Sequence, residues 1–161
     1  MEVLTQIFGG GSTSKLYRAL VIDQKIAVSA GSYYDADNIG PSRFTVYASP
    51  RPGVSMADLE RAVEIEIDKL VKDGVTASAV SRAIITMQAE AIYARDSLRA
   101  GARVLGAALA SGQSIDDVEE WPDRIGKVTA AQIGKAAKAV FKINSSVTAL
   151  LLPAKKEGDK R

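Results

Sequence analysis

The sequence contains no histidine and no cysteine among its 161 residues. The absence of histidine excludes a Ser-His-Asp triad, a Cys-His pair and the commonest metal ligand of proteins. The absence of cysteine excludes a disulfide framework, a thiolate nucleophile and a zinc ribbon. Most of the familiar catalytic apparatus is therefore missing from this sequence.

An excess of charge of one sign and long apolar runs are also missing. The 21 basic and 19 acidic residues leave a formal net charge of +2, which excludes strong electrostatic steering toward nucleic acid. No run approaches the roughly 20 apolar residues that span a bilayer. The beginning of the sequence lacks the basic segment and apolar stretch of a signal peptide. We therefore expect no nucleic-acid partner and no membrane span.

The composition is that of a soluble globular protein, with 47% hydrophobic and 25% charged residues. The length predicts a single domain, which we place at residues 1–153, followed by a charged tail at 154–161. Val3, Leu4, Ile7 and Phe8 already follow helical spacing, so a helix is under way from residue 1 without a cap. This start leaves open that the chain is a truncated fragment of a longer protein.

Hydrophobic periodicity predicts an α+β layer fold. The predicted helices include residues 1–8, 14–23 and 130–141. Two long helices are predicted to begin after Ser55 and Thr76, and the second of these is interrupted at 95–97. A short helix is predicted to begin after Ser114 and to be closed by Trp121 and Pro122. The predicted strands are 27–34 and 43–49, which form an antiparallel hairpin, and the apolar run 147–152, which we expect in the centre of the sheet. Three strands make a thin sheet, which indicates that a neighbouring strand is missing.

A glycine-rich loop is the first candidate for a functional site. Gly9, Gly10, Gly11 and Ser12 precede a helix that is predicted to begin near Ser14. A phosphate cradle is the weaker interpretation, because a P-loop needs a preceding strand and a Ser or Thr directly after its lysine. A loop between two helices with a functional surface is the better one.

The remaining polar residues have structural explanations. The carboxylates of Glu64, Glu66 and Asp68 diverge around a helix, and the acidic run 116–120 is typical of a solvated helix face rather than a metal site. Tyr33, Tyr34 and Tyr47 are predicted to pack against each other across the hairpin. Taken alone, the residues indicate an α+β domain without a catalytic centre.

The order of the segments resembles the second, non-zinc domain of bacterial, processing-peptidase-like members of the pitrilysin/insulinase family of zinc metallopeptidases. The matching segments are the glycine-rich loop with residues 14–20 (SKLYRAL), residues 44–53 (FTVYASPRPG), residues 74–76 (GVT) before a long helix, residues 128–133 (VTAAQI) and residues 147–153 (VTALLLP). The resemblance as a whole covers residues 3–153. No single motif is strong, and the resemblance rests on their collinearity.

The resemblance implies a fold and a division of labour. Each family domain is an antiparallel sheet with helices packed on one face, and two such domains form a clamshell. The first carries the zinc motif H-x-x-E-H, so zinc is expected on an N-terminal domain of the parent and not on this chain. The second domain closes the chamber and binds peptide, with the glycine loop of residues 9–12 facing the substrate. The resemblance also implies that the first strand of the domain is missing from this sequence.

This sequence departs from the family at one pair of positions. Some members place an arginine, and a tyrosine seven residues later, in the second domain to hold substrate. The matching residues here are Val21 and Val28. In two-chain members the pair and the zinc motif can lie on different subunits, so a homologous second subunit is an expected partner.

The resemblance therefore predicts a non-catalytic, peptide-binding domain of a zinc metalloendopeptidase, inactive on its own. The alternative within the family is a domain of a catalytically inactive scaffold subunit. A free-standing binding module outside the family is a third hypothesis. The location in the cell is not fixed by the sequence, although bacterial members suggest the periplasm or cell envelope.

Overall fold

A computed structural model describes residues 1–152, except for the side chain of Leu98. The helices are α1 (Glu2–Gly9), α2 (Lys15–Tyr17), which continues into a π-helix (Arg18–Asp23), α3 (Met56–Asp73), α4 (Ala77–Ala94), α5 (Leu98–Ala110), α6 (Ile115–Glu119), α7 (Trp121–Gly126) and α8 (Ala130–Val140), with a 3₁₀ turn at Ile143–Ser145. The strands are β1 (Ala27–Tyr34) and β2 (Phe44–Pro50). The predicted charged tail lies outside the described residues. Within residues 1–152, every helix falls short of the length or apolarity that a bilayer crossing requires.

The two strands form an antiparallel hairpin, so the α+β fold class is confirmed. Register places Ala30 opposite Ala48 and Ser32 opposite Val46, and these residues face the helices. The alternate positions face the other way, since side chains alternate along a strand. Helices therefore pack on one face of the sheet.

Helix α1 lies at the centre of the core. Its apolar face is almost completely buried, and Phe8 contacts Phe141, with ring centroids 5.7 Å apart in an edge-to-face arrangement. Phe141 in turn meets Phe44 at 5.2 Å. Such edge-to-face pairs are favourable beyond the area that they bury. The three rings connect α1, the end of α8 and the start of β2.

A second contact holds the other end of α1. The indole Nε1–H of Trp121 donates a hydrogen bond of 3.0 Å to Oε1 of Glu2. Trp121 begins α7, and α7 packs against α4. The first turn of α1 is thereby joined to a helix more than a hundred residues away in sequence.

The predicted helix starts are confirmed. The side chains of Ser55, Thr76, Ser114 and Thr129 each accept a hydrogen bond from the backbone N–H three residues later. Each such bond satisfies an N–H that has no partner within the helix. Helix α3 ends at Gly74, whose φ of 71° is a conformation that glycine adopts at little cost.

The predicted role of Trp121 and Pro122 is wrong. They do not close the helix that follows Ser114; that helix, α6, ends at Glu119, and Trp121 begins α7. A residue before proline usually avoids the helical region, so the dipeptide favours a helix end. Proline is nevertheless accepted in the first turn of a helix, where its missing N–H would have no partner anyway.

The predicted central strand at 147–152 is also wrong. These residues form no strand in the described structure, and Val147 and Leu151 are 95% and 94% exposed. An apolar run favours a strand but does not supply the neighbouring strand with which its backbone must pair. The sheet of residues 1–152 consists of β1 and β2 alone.

Arg51 joins the π-helix to the start of the sheet. Its Nε–H donates to the carbonyl of Ala27 at 3.1 Å and its Nη2–H to the carbonyl of Val21 at 3.3 Å. None of the ion pairs found in residues 1–152 involves this half-buried guanidinium. Its hydrogen-bonding capacity is thus directed at the backbone of two neighbouring elements.

We expect Arg51→Ala to lower the free energy of unfolding by about 2 kcal/mol, because two charge-assisted hydrogen bonds are lost. Urea denaturation followed by circular dichroism measures the change. The control is Arg82→Ala, which removes an exposed side chain bonded to Ser78 in the preceding turn, and its effect should stay within about 0.5 kcal/mol. Equal effects of the two substitutions would contradict the role given to Arg51.

The start of α6 is sensitive to acid. The backbone N–H and the hydroxyl of Ser114 donate to the carboxylate of Asp117 at 2.9 and 2.8 Å, and Arg124 lies 3.2 Å away. These donors hold the pKa of Asp117 below its ordinary value of 3.8, with the Ser114 backbone bond the largest cause. Because the pKa is depressed on folding, the stabilisation is present above pH 3.8 and is lost as the pH falls through the folded pKa.

An NMR titration of the Asp117 carboxyl carbon should therefore have its midpoint below 3.8. In Ser114→Ala the midpoint should move up toward 3.8, since the hydroxyl donor is removed while the backbone donor remains. An unchanged midpoint in this variant would show that the hydroxyl does not stabilise the carboxylate.

Candidate functional site

The glycine-rich loop connects α1 to α2. Gly9 is buried at the end of α1, Gly10 is half-buried, and Gly11 and Ser12 are exposed. The hydroxyl and the backbone N–H of Ser14 both donate to the carbonyl of Gly11, at 2.7 and 3.1 Å, and close the loop. The loop is therefore anchored at both ends and presents its middle to solvent.

The first two glycines are required by packing. A Cβ on Gly9 would lie 2.0 Å from the backbone nitrogen of Ser32, and a Cβ on Gly10 would lie 2.6 Å from Cα of Gln6. Gly11 differs, because its φ is 95° and nothing lies within 4 Å of its Cβ position. Of the four residues that the sequence predicts at this site, Gly11 and Ser12 are thus the ones free to contact another molecule.

Tyr47 lies beside this loop, a placement that sequence reasoning missed. It pairs with Gly31 across the hairpin, and a Cβ on Gly31 would be 2.5 Å from the Tyr47 hydroxyl and 3.1 Å from the Gly9 carbonyl oxygen. The ring of Tyr47 therefore extends across Gly31, and its hydroxyl reaches toward the end of α1. A glycine opposite an aromatic residue in the predicted hairpin was the available signal.

The outer face of the hairpin, defined here as the face opposite to that of Ala30 and Ala48, is rich in hydroxyl groups. It consists of Ser29, Gly31 and Tyr33 on β1 and Thr45, Tyr47 and Ser49 on β2. Tyr33 and Tyr47 are 52% and 51% exposed. None of these hydroxyls has a hydrogen-bond partner within residues 1–152, and none of the six residues is an aspartate, glutamate, lysine or arginine.

The predicted packing of Tyr33, Tyr34 and Tyr47 against each other is not found. Tyr33 and Tyr47 share the outer face but occupy diagonal positions, and Tyr34 belongs to the opposite face. The aromatic pairs in the described residues involve phenylalanine alone. The two outer rings are thus not stacked on each other.

The remaining candidate positions lie elsewhere. Val21 is buried in the π-helix, and Val28 is exposed at the start of β1. Lys15, the lysine of the weaker phosphate interpretation, donates from Nζ to the carbonyl of Gly74 at 3.1 Å, so it is directed at the end of α3 and away from the loop. The described residues contain no group of three or more acidic side chains suited to hold a metal ion.

The sequence of residues 1–87, more than half of the chain, matches the family model described as the peptidase M16 inactive domain. The chain belongs to this family. A comparison with curated proteins gives no significant match.

Solved structures share the fold of this inactive domain. A protease from Helicobacter pylori superposes with a TM-score of 0.78 at 19% identity, covering 88% of this chain and 34% of its own. The inactive domain of a predicted zinc protease from Bordetella parapertussis gives 0.75 at 18% identity, covering 86% of this chain and 72% of its own. A peptidase M16 inactive domain from Pseudomonas fluorescens gives 0.67 at 14% identity, covering 88% and 33%. The chain thus spans about a third of the length of two of these proteins.

We expect Gly9→Ala to destabilise the inactive domain by about 3 kcal/mol or more, because the added methyl group meets the backbone of β1. Gly101→Ala is the matched control. It lies in α5 with nothing within 4 Å of its Cβ position, and the same change there should stabilise the protein by up to about 1 kcal/mol. Thermal unfolding of both variants measures the difference, and a tolerated Gly9→Ala would contradict the packing of α1 on β1.

Proposed function

We propose that this inactive domain closes the chamber of a zinc metalloendopeptidase and binds its peptide substrate there. The proposal rests on the family, whose members include the inactive domain of a predicted zinc protease, and on the glycine loop. Residues 1–153 would form the C-terminal domain of the parent. The exposed pair Gly11 and Ser12 would contact substrate, with Gly9 and Gly10 supporting them from within the same site.

The observation that carries the proposal is the asymmetry of the sheet. The core helices pack on one face, whereas Tyr33 and Tyr47 on the outer face are about half exposed in the described structure, and Tyr47 covers the buried Gly31 near the end of α1, where the glycine loop begins. Exposed glycine backbone lets another chain approach closely and offers N–H and C=O groups for hydrogen bonds. An extended peptide can use such groups without any particular side chain.

Zinc would be held by an N-terminal domain of the same parent. Protein zinc sites depend mainly on histidine and cysteine, and this sequence has neither. The carboxylates of the described residues form no cluster suited to a metal ion. The role of this chain would be to enclose and orient the peptide, with the metal chemistry supplied from across the chamber.

A homologous second subunit is the further partner that we propose. Val21 and Val28 stand where some family members have the substrate-holding arginine and tyrosine, and a valine side chain offers no hydrogen bond. A partner subunit would supply that pair. The same valines also favour the alternative, a catalytically inactive scaffold parent, and the two are distinguished by the presence or loss of H-x-x-E-H in the preceding domain.

The isolated chain should neither hydrolyse peptides nor bind zinc in stoichiometric amount, because its donor set is limited to carboxylates and other weak ligands. Metal analysis of chelator-treated protein that has been reloaded with zinc and desalted tests this expectation. One tightly held zinc ion per chain would contradict the placement of the metal on another domain.

Substitution in the exposed half of the glycine loop should affect peptide binding and not folding. Ser12→Trp, assembled with the zinc-bearing domain, should raise KM for long peptides about fivefold, since a bulky side chain blocks approach to the loop. The kcat and the Tm should be unchanged. Ser81→Trp on the exposed side of α4 is the control. Equal KM values for wild type and Ser12→Trp in a folded assembly would remove the loop from the substrate site.

A further inference from the structure

We propose that residues 147–152 are a self-association site, at which two copies of this chain pair as antiparallel strands about a two-fold axis at Ala149. This inference goes beyond the proposed function and does not depend on it. It rests on the exposure of the segment and on the order of its side chains.

The segment is apolar and uncovered within residues 1–152. Val147 and Leu151 are almost fully exposed, and Leu150 and Leu152 are exposed by half or more. No backbone N–H or C=O group of the segment takes part in a hydrogen bond found among the described residues. Contiguous exposed apolar surface marks an interaction site, whereas single exposed apolar residues are ordinary. The segment therefore has both its side chains and its backbone groups available for a partner.

The composition of the segment favours pairing with an identical copy. Its sequence, VTALLL, begins with two β-branched residues and contains no charged residue, glycine or proline. Exposed six-residue segments of this kind pair readily with identical segments of other chains. Pro153 follows directly in the sequence and has no backbone N–H to donate, so the pairing would end at Leu152.

The two faces of the segment distinguish a second copy from the hairpin as a partner. In an extended conformation Val147, Ala149 and Leu151 point to one side, and Thr148, Leu150 and Leu152 point to the other. Both sides are thus mainly apolar. Strands β1 and β2 carry serine, threonine, glycine and tyrosine along their outer face, so neither matches the segment on both sides. A second copy of the segment does.

An antiparallel arrangement centred on Ala149 makes the segment self-complementary. The two alanines then lie opposite each other, and Val147 lies opposite Leu151 of the second copy. Thr148 lies opposite Leu150 of the second copy in the same register. Each of these leucines therefore meets a smaller side chain, and alternation of large and small residues fills the space between facing positions.

Other registers lack this complementarity. A pair centred on Leu150 would place two leucines opposite each other and Val147 opposite Pro153, which lacks an N–H. A parallel, in-register pair would place each leucine beside its own copy and bring the two Lys142 ammonium groups together. Like charges directly opposite each other destabilise a strand pair. The side-chain order thus selects the antiparallel pair centred on Ala149.

The register is tested with single-cysteine variants, which the cysteine-free sequence allows. In Ala149→Cys the two Cα atoms of a pair would be about 4.5–5.5 Å apart, within the range that a disulfide bridges. In Thr148→Cys, the matched control, the offset of two residues would separate them by about 8 Å, beyond that range. Mild oxidation should therefore link Ala149→Cys into dimers at least about tenfold faster than Thr148→Cys. Equal rates would overturn the register.

The association itself is measured on the 161-residue chain by sedimentation equilibrium. Because six residues of each copy form a small interface, we expect a dimer only at micromolar or higher concentrations. The mass should rise from one chain toward two over about a hundredfold range of concentration.

Leu151→Lys should raise the Kd of the dimer at least about tenfold, since it places an ammonium group against the valine of the second copy. Its Tm should be unchanged, because Leu151 is almost fully exposed in the single chain. Ile92→Lys, the same kind of change at an exposed position of α4, is the control, and its Kd should equal that of wild type.

The outcomes decide the proposal. A chain that stays monomeric over the whole range would overturn it, as would a dimer that Leu151→Lys leaves intact. Disruption by Ile92→Lys would overturn it as well, because α4 would then form the interface. A mass that grows beyond two chains without a plateau would show open stacking of strands instead of a closed two-fold pair.

Discussion

The close approach of Gly9 to the Gly31–Ser32 peptide is the contact on which the rest of the structure depends. The virtual methyl at Gly9 falls 2.0 Å from a backbone nitrogen, so no other residue allows α1 to end there. From this position α1 places Phe8 against the ring of Phe141, which in turn contacts Phe44. The same packing leaves Gly11 and Ser12 at the surface. The core and the candidate site therefore share one steric requirement.

Much of the fold could be predicted from local signals, and the errors have a common cause. Strand β1 and the caps at Ser55, Thr76, Ser114 and Thr129 follow from periodicity and from short-range hydrogen bonds. Whether residues 147–152 form a strand depends on a neighbour distant in sequence, and no local pattern specifies that neighbour. The role of Trp121 is ambiguous in the sequence as well, because the dipeptide Trp121-Pro122 can either end one helix or begin the next.

The candidate site could be predicted only in part for the same reason. The triple glycine is visible in the sequence, but the reason for each glycine is not. Gly9 and Gly10 lie in contacts too close for a side chain, whereas Gly11 adopts a positive φ in open space. The role of Tyr47 depends on its register with Gly31, which a one-residue slip of the hairpin would abolish. Strand pairing thus brings Tyr47 close to the end of α1, although the two are distant in the chain.

The hydrogen bond between Trp121 and Glu2 gives the molecule a built-in optical reporter. Trp121 is the single tryptophan of the chain, and its indole N–H is held at 3.0 Å by a residue in the first turn of α1. Release of α1 from α7 would expose the indole to water and change its emission wavelength. Because α1 also carries the glycine loop, intrinsic fluorescence can follow the seating of that loop in the unlabelled protein, with no competing indole signal.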